Sequence, residues 1–307
     1  LERVERLLAE FTGRDDVEID PSCGGIDVVA LLMRMLAITV IDGNEEATNA
    51  GIPSVAATVI LGSTGTIRFK GSTPLGTSAG EDEAIHLVDS IIPPGEVPGV
   101  HMDLFTVAGD GTLRFAPHVN SAVVRDRDDE GLQSLWETAS RYGGKGCKRA
   151  VGHIESVLAE LFTGRELGSI GSVLEIDRDL LALELRRAEE LGRIDPGAPG
   201  SDRIRIMQRK GVLGMNAILS VSLALARALA ARDGLELWQL IRAMAVRAMT
   251  GFIAANDPGY AGRESELGSL DFDEMTALFR SAAVPFRGSE PGIHRMLREY
   301  IPVYGSE

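Results

Sequence analysis

The chain has 307 residues, 44% of them hydrophobic and 25% charged, a composition that suits one large globular domain or two ordinary ones. Its 31 Lys and Arg against 45 Asp and Glu leave a formal net charge of −14, which argues against a sequence-independent grip on nucleic acid or an anionic membrane surface. Two cysteines, Cys23 and Cys147, give neither a disulfide framework nor metal-ligand spacing, and fit a reducing compartment such as the cytoplasm.

The chain opens Leu-Glu-Arg with no initiator Met and no secretory leader, so the expectation is a piece of a longer polypeptide. Residues 1–36 read as a helical extension. Val4, Leu7, Leu8 and Phe11 share one face of a short helix that Gly13 ends, and Asp27 stands in the N-cap position ahead of the apolar run from Val28 to Met33. The β-rich run from Val55 to Leu61, the turn residues Gly62-Ser63-Thr64-Gly65 and the alternation from Thr66 to Lys70 predict a hairpin. A Gly-rich loop follows from Thr73 to Ala84. The stretch from Ile91 to Ser140 carries a second hairpin, Leu104–Val107 with Thr112–Phe115, around Gly109-Asp110-Gly111, and then a charged turn from Arg125 to Glu130. His101 and His118 have no Cys, His or Asp cluster near them in sequence and read as surface residues.

Beyond residue 140 the pattern turns helical. Val151, Ile154, Val157, Leu158 and Leu161 form one apolar face ended by Gly164. Ser172 and Glu175 make a capping-box pattern for a helix to Leu191, with Leu174, Leu181 and Leu185 as its core stripe. Met215 to Arg232 is apolar nearly all the way round, relieved only by small residues such as Asn216, Ser220 and Ser222, and such a helix must be covered on several sides. Arg227 and Arg232 cut it short of the roughly 20 residues a bilayer span needs. After Leu240 come a short helix at 243–252, a Gly-rich loop, a helix at 273–282 and a last helix near 292–300. Asp271, Asp273 and Glu274 read as helix-start carboxylates and not as metal ligands.

The central helix also resembles a specific family. Lys210, Leu213, Gly214, Asn216, Ala217, Ile218, Leu219, Val221, Ser222, Leu223 and Ala224 match in register the Lys-x-x-Leu-Gly-Ala-Asn-Ala-Ile-Leu-Gly-Val-Ser-Leu-Ala run of the enolase N-terminal capping domain. Gly234, Leu237 and Trp238 fall where that family has Gly, Leu and Tyr, and Arg141-Tyr142-Gly143-Gly144-Lys145-Gly146 is close to its Arg-Tyr-x-Gly-Lys-Gly. In the loop after the hairpin, Gly76, Ser78, Gly80, Glu83 and Ala84 match the family's lid, while Leu75 replaces its first serine and Thr77 stands between the matches. In that family the serine at the position of Ser78 ligates the second Mg²⁺ on closure. The insertion at 91–140 has no counterpart in ordinary enolases, and the barrel that supplies their base and acidic ligands has none in residues 241–307.

The resemblance therefore implies an α+β fold: a three-stranded antiparallel sheet packed against a helical subdomain, with helical additions at both ends. It divides the chain into the extension at 1–36, a capping-like domain at 37–240 interrupted at 91–140, and a helical tail at 241–307. No catalytic residue is assigned. The functional expectation is a divergent enolase-like protein that is non-catalytic as given, serving as a structural or interaction module. Divergent enolase-like proteins of cilia share the extension and the interrupted capping domain, which implies an axonemal location within the cytoplasm. The alternative is the capping half of a working phosphopyruvate hydratase, with Ser78 as metal ligand and Gly76, Thr77, Ser78 and Gly80 as its lid. Mg²⁺ is expected only if a barrel is supplied elsewhere. Expected partners are other proteins or a second copy, with no nucleic acid and no membrane.

Overall fold

A computed structural model of the chain describes residues 2–19, 27–73, 83–97, 99–109 and 111–283. Its architecture is α+β. Three strands, β1 (Ile38–Ala47), β2 (Pro53–Leu61) and β3 (Ile67–Ser72), form an antiparallel sheet in the order β1-β2-β3. The expected hairpin is β2–β3, with Leu61 opposite Ile67 and Ala56 opposite Ser72. Val55, Ala57, Val59 and Leu61 point to the buried face at the strand period of two. Across that face Gly43, Ala57 and Gly71 lie in register, a row of small residues where helices approach the sheet closely. A Cβ on Gly71 would stand 2.2 Å from the Ser220 carbonyl oxygen, and one on Gly43 3.2 Å from Ile154 Cβ.

Those helices are α5 (Lys148–His153), which runs through a π turn at Ile154–Leu158 into α6 (Ala159–Phe162), and α9 (Met215–Arg232). With α7 (Val173–Glu190) they enclose the main core, in which Leu36, Ile38, Ile154, Leu158, Phe162, Leu180 and Leu225 are fully buried. Each such side chain contributes about 1.5–3 kcal/mol by leaving water. By length and mean hydropathy (1.2) α9 could cross a membrane, but 67% of it is buried inside the protein, as a core helix requires.

The capping-box expectation for α7 holds in part. Ser172 Oγ accepts the Glu175 amide at 3.2 Å, but Glu175 returns to the amide of Gly171 and not to that of Ser172. The stripe of α7 in the main core is Val173, Ile176, Leu180 and Leu183; Leu181 and Leu185 are buried outside it and Leu174 is half-buried. Between α7 and α9 lies a helix the sequence did not announce, α8 (Gly200–Arg209), whose apolar side chains are only Ile204, Ile206 and Met207, all half-buried.

The N-terminal helix α1 (Glu2–Thr12) is seated on the protein's own surface: Leu8 is fully buried, and the Phe11 carbonyl accepts the amide of Ser63 in the β2–β3 turn at 3.0 Å. Asp27 caps α2 (Val28–Met35), its carboxylate accepting the amides of Val29 and Ala30 at 3.0 Å. The 91–140 stretch has a small core of its own, containing Ile92, Leu104, Leu113 and Leu132. It gathers the hairpin β4 (Phe105–Val107) and β5 (Leu113–Phe115) with α3 (Ser121–Arg125) and α4 (Glu130–Ser140). His101 belongs to it and is 8% exposed, not a surface residue. Its Nε2 lies 2.9 Å from Asp129, which also caps α4; the partner is 28 residues away, so sequence spacing hid it. His118 is exposed as expected.

Past Leu235 the helix α10 (Leu237–Asn256) is longer than the expected one at 243–252. Glu236 and Gln239 form a capping box that starts it earlier. With α11 (Glu264–Leu267) and α12 (Phe272–Ala283) it encloses a third small core around Ile253, Leu267 and Met275. Asp271 accepts the Glu274 amide at 2.8 Å and Glu274 the Asp271 amide at 3.1 Å, so the carboxylates at this helix start do serve as caps. The helix expected near 292–300 lies outside the described residues.

Candidate functional site

The loop residues singled out in the sequence, Gly76, Thr77, Ser78 and Gly80, fall within 74–82 and lie outside the described residues. Both ends of that loop are described, and both are fastened to the first turns of α9. At the leading end, Thr73 is 2% exposed: its amide donates to the Val55 carbonyl at 3.0 Å, and its carbonyl accepts from the Ser54 hydroxyl. The hydroxyls of Thr73 and Ser220 are in contact; both reach the Asn216 carbonyl oxygen, and that of Ser220 also reaches the Val55 carbonyl. At the trailing end, the Ile85 amide donates to the Arg209 carbonyl at 2.7 Å, and the Met215 amide to the Ile85 carbonyl at 2.8 Å. Two residues on, the Asn216 side chain meets both backbone groups of Leu87: Nδ2 donates to the carbonyl and Oδ1 accepts the amide, each at 3.0 Å. A single amide side chain thus does the work of a strand neighbour.

Asn216 and Ser220 are one helical turn apart, so they share a face of α9. This is why an otherwise apolar helix carries small polar residues there. All three buried members, Thr73, Asn216 and Ser220, find their partners, as buried polar groups must. The sequence showed the interruption in the apolar run; the i, i+4 spacing of 216 and 220 was the cue that could have marked it as a binding face.

The residues ahead of α9 each have a structural duty. Lys210 ends α8 in the left-handed conformation (φ 51°). The buried Glu184 of α7 accepts the amides of Val212 and Leu213 at 2.9 and 2.8 Å. Burial pushes its carboxyl up, and those two amides draw it back only in part; burial likewise pushes Lys210 down, with Glu184 and Asp177 opposing. Gly214 has φ 93°, and a Cβ on it would stand 2.5 Å from Leu87 Cβ and 2.7 Å from Asn216 Oδ1. Only glycine lets the loop's trailing end come this close to α9.

The Arg141 motif builds a second fastening. Arg141 reaches both Glu45 on β1 and the fully buried Asp89, at 3.1 and 3.3 Å through Nη1. Asp89 also accepts the amides of Lys148 and Arg149 at the start of α5, at 3.1 and 2.9 Å. A carboxylate there suits the positive end of the helix. Burial raises the Glu45 carboxyl, but the Arg141 guanidinium and the Cys147 amide outweigh it and the net shift is downward. Gly146 approaches Asp89 so closely that a Cβ would stand 2.5 Å from Oδ2. These contacts hold the segment 85–92, and with it the loop's trailing end, against the sheet.

Among the described residues this arrangement fastens both flanks of the 74–82 loop, and the thiol and imidazole nearby are buried. The Cys147 thiol is pushed up to about 12, by burial first and then by Asp89 and Glu45, so it is inert. His153 is held neutral by burial and donates Nδ1–H to the Leu213 carbonyl at 3.0 Å. No three His, Cys, Asp or Glu side chains among the described residues converge as metal ligands.

No protein-family model matches the chain. Over 148 residues, 47% of its length, it is 33% identical to the enolase of Rubrobacter xylanophilus, of which the match covers 27%. The chain is thus similar to part of an enolase, and its three-stranded sheet with packed helices is consistent with an enolase N-terminal-like domain. It spans about a quarter of the length of the curated relative it matches.

Proposed function

We propose that the chain is a capping module of an enolase-like protein, non-catalytic on its own, which presents the 74–82 loop to another polypeptide surface. The observation that carries this reading is the double fastening of the loop's ends, Thr73 and Leu87, to Asn216 and Ser220 on one face of α9. Fixing both ends on a rigid helix lowers the ordering cost of whatever contact the loop makes. A second reading is favoured by the same fastening. Where the facing surface is an enolase-type barrel, the loop is placed as a lid, and Ser78 would add a hydroxyl ligand to a Mg²⁺ held by that barrel's carboxylates.

The experiment mixes the chain with a separately expressed barrel of the Rubrobacter relative and measures association by calorimetry. Saturable association that weakens in a Thr77→Pro, Ser78→Ala double variant supports a loop-mediated contact. Restored conversion of 2-phosphoglycerate in the mixture, lost in Ser78→Ala, selects the lid reading. Absence of association, or association indifferent to the loop substitutions, refutes docking through this loop onto an enolase barrel.

A further inference from the structure

Beside the loop's trailing end, a cleft of about 550 Å³ opens between α8 and the turn that follows α7. Arg193, Arg205 and Arg209 line it together with Ile85, Ile206 and Val212. This is the size range of small-molecule sites, and the mixture of apolar wall and a few converging polar groups is their usual make-up.

The charges decide what it would take. Three carboxylates also line the cleft, but each has a local task. Both oxygens of Glu184 accept backbone amides, Asp195 accepts the Gly197 amide at 2.7 Å, and Asp202 lies in the first turn of α8, where a carboxylate matches the helix's free N–H groups. Arg193 also faces the charge of Glu184, yet Arg193 and Arg205 keep hydrogen-bond donors to spare. Arg193 is half-buried and held in place by the neutral Gly211 carbonyl at 3.1 Å, which leaves most of its five N–H donors available. Arg205 is exposed and has no hydrogen bond or ion pair among the described residues.

We propose that this cleft binds a small organic anion, a carboxylate or phosphate monoester on a short apolar body. Arg193 and Arg205 take the anionic group, and Ile85, Ile206 and Val212 cover the body. Guanidinium forks match the geometry of carboxylate and phosphate oxygens, and the anchoring of Arg193 means that little side-chain freedom is lost on binding. A chain of net charge −14 repels anions at long range, so saturable uptake of one reports a local site. The occupant would touch Ile85, whose amide and carbonyl carry the loop's trailing end, so binding stiffens that segment. This inference stands on the cleft alone and is independent of any enolase-type barrel.

The test is calorimetric titration of the 307-residue chain with phenyl phosphate, against inorganic phosphate and phenol, followed by amide exchange with and without phenyl phosphate. The expected result is one saturable site for phenyl phosphate, binding weaker for either half alone, and slowed exchange at Ile85 and Val212. Arg205→Gln should weaken binding about tenfold, in keeping with the loss of one charge-assisted contact. It removes no hydrogen bond or ion pair among the described residues, so the variant is expected to keep its fold. Arg193→Gln should weaken it further. The proposal is overturned by the absence of saturable binding at up to roughly 10 mM probe, by equal affinity in Arg205→Gln, or by inorganic phosphate binding as tightly as the phenyl ester. Slowed exchange confined to segments away from the cleft overturns it as well.

Discussion

Asn216→Leu is the sharpest perturbation of the loop's fastening. The replacement is close in size and suits a helix, but it strips the partner from both backbone groups of Leu87, which is 3% exposed. A buried amide or carbonyl left without a partner costs about 1–3 kcal/mol, so the pair costs roughly 2–6 kcal/mol. The apolar side chain returns about 1–2 kcal/mol by transfer, and a net loss near 3 kcal/mol follows. Because the contact is made at one end of one loop, the loss should fall on local opening of 85–89 before it falls on the whole domain. Native-state amide exchange reads this directly. Leu87 should exchange about a hundredfold faster in the variant, the factor that 3 kcal/mol commands, while Val59 in the central strand changes far less. If Leu87 and Val59 speed up by the same factor, or neither changes, Asn216 does not hold the loop's end and the reasoning fails.

Gly71→Ala should lower the melting temperature by several degrees, because its Cβ would meet backbone atoms of α9 at 2.2 and 2.5 Å that no side-chain rotation can move, and overpacking of this kind costs roughly 1–3 kcal/mol; an unchanged thermal melt would show that β3 and α9 can separate freely. The Glu45 carboxyl is shifted down from its ordinary value of 4.5, so its contribution to stability is fully present above that pH and is lost as pH falls through the lower folded-state value. The melting temperatures of the parent and Glu45→Gln should therefore differ most near neutrality and converge once the pH has fallen through that depressed value; a constant difference down into acid would rule out the carboxylate's charge as the cause. Leu8→Ala, at a fully buried position on α1, should cost about 2–5 kcal/mol in urea unfolding if the N-terminal helix braces the domain, and close to nothing if the helix leaves the surface in solution.

Much of the scaffold was legible because it obeys local rules. The β2–β3 hairpin follows from alternation and turn residues, α9 from a long, largely apolar run, and the starts of α2 and α12 from Asp27 and Asp271. What escaped was whatever depends on a partner far along the chain. His101 was read as exposed because Asp129 is 28 residues away. Asp89 and Glu45 carried no sign of their shared arginine, Arg141, which is 52 and 96 residues on. Helix α8 carries only three apolar residues, Ile204, Ile206 and Met207, among charged and polar ones, too few to stand out in the sequence. The loop motif drew attention to Ser78, yet the residues that fasten the loop are Thr73, Asn216 and Ser220, whose roles appear only when α9 is laid against the sheet.

The proposed role is that this chain presents a loop to another surface and does not carry out the reaction by itself. Its most direct test is a coupled assay for phosphoenolpyruvate formation from 2-phosphoglycerate, with millimolar Mg²⁺ and the chain as the only enolase-related protein present. Abstraction of a proton beside a carboxylate needs a base, and charge stabilisation for the intermediate, at one place. The account predicts no product above the protein-free control at any concentration of the chain. Turnover that rises in proportion to the chain and disappears in Ser78→Ala would contradict it.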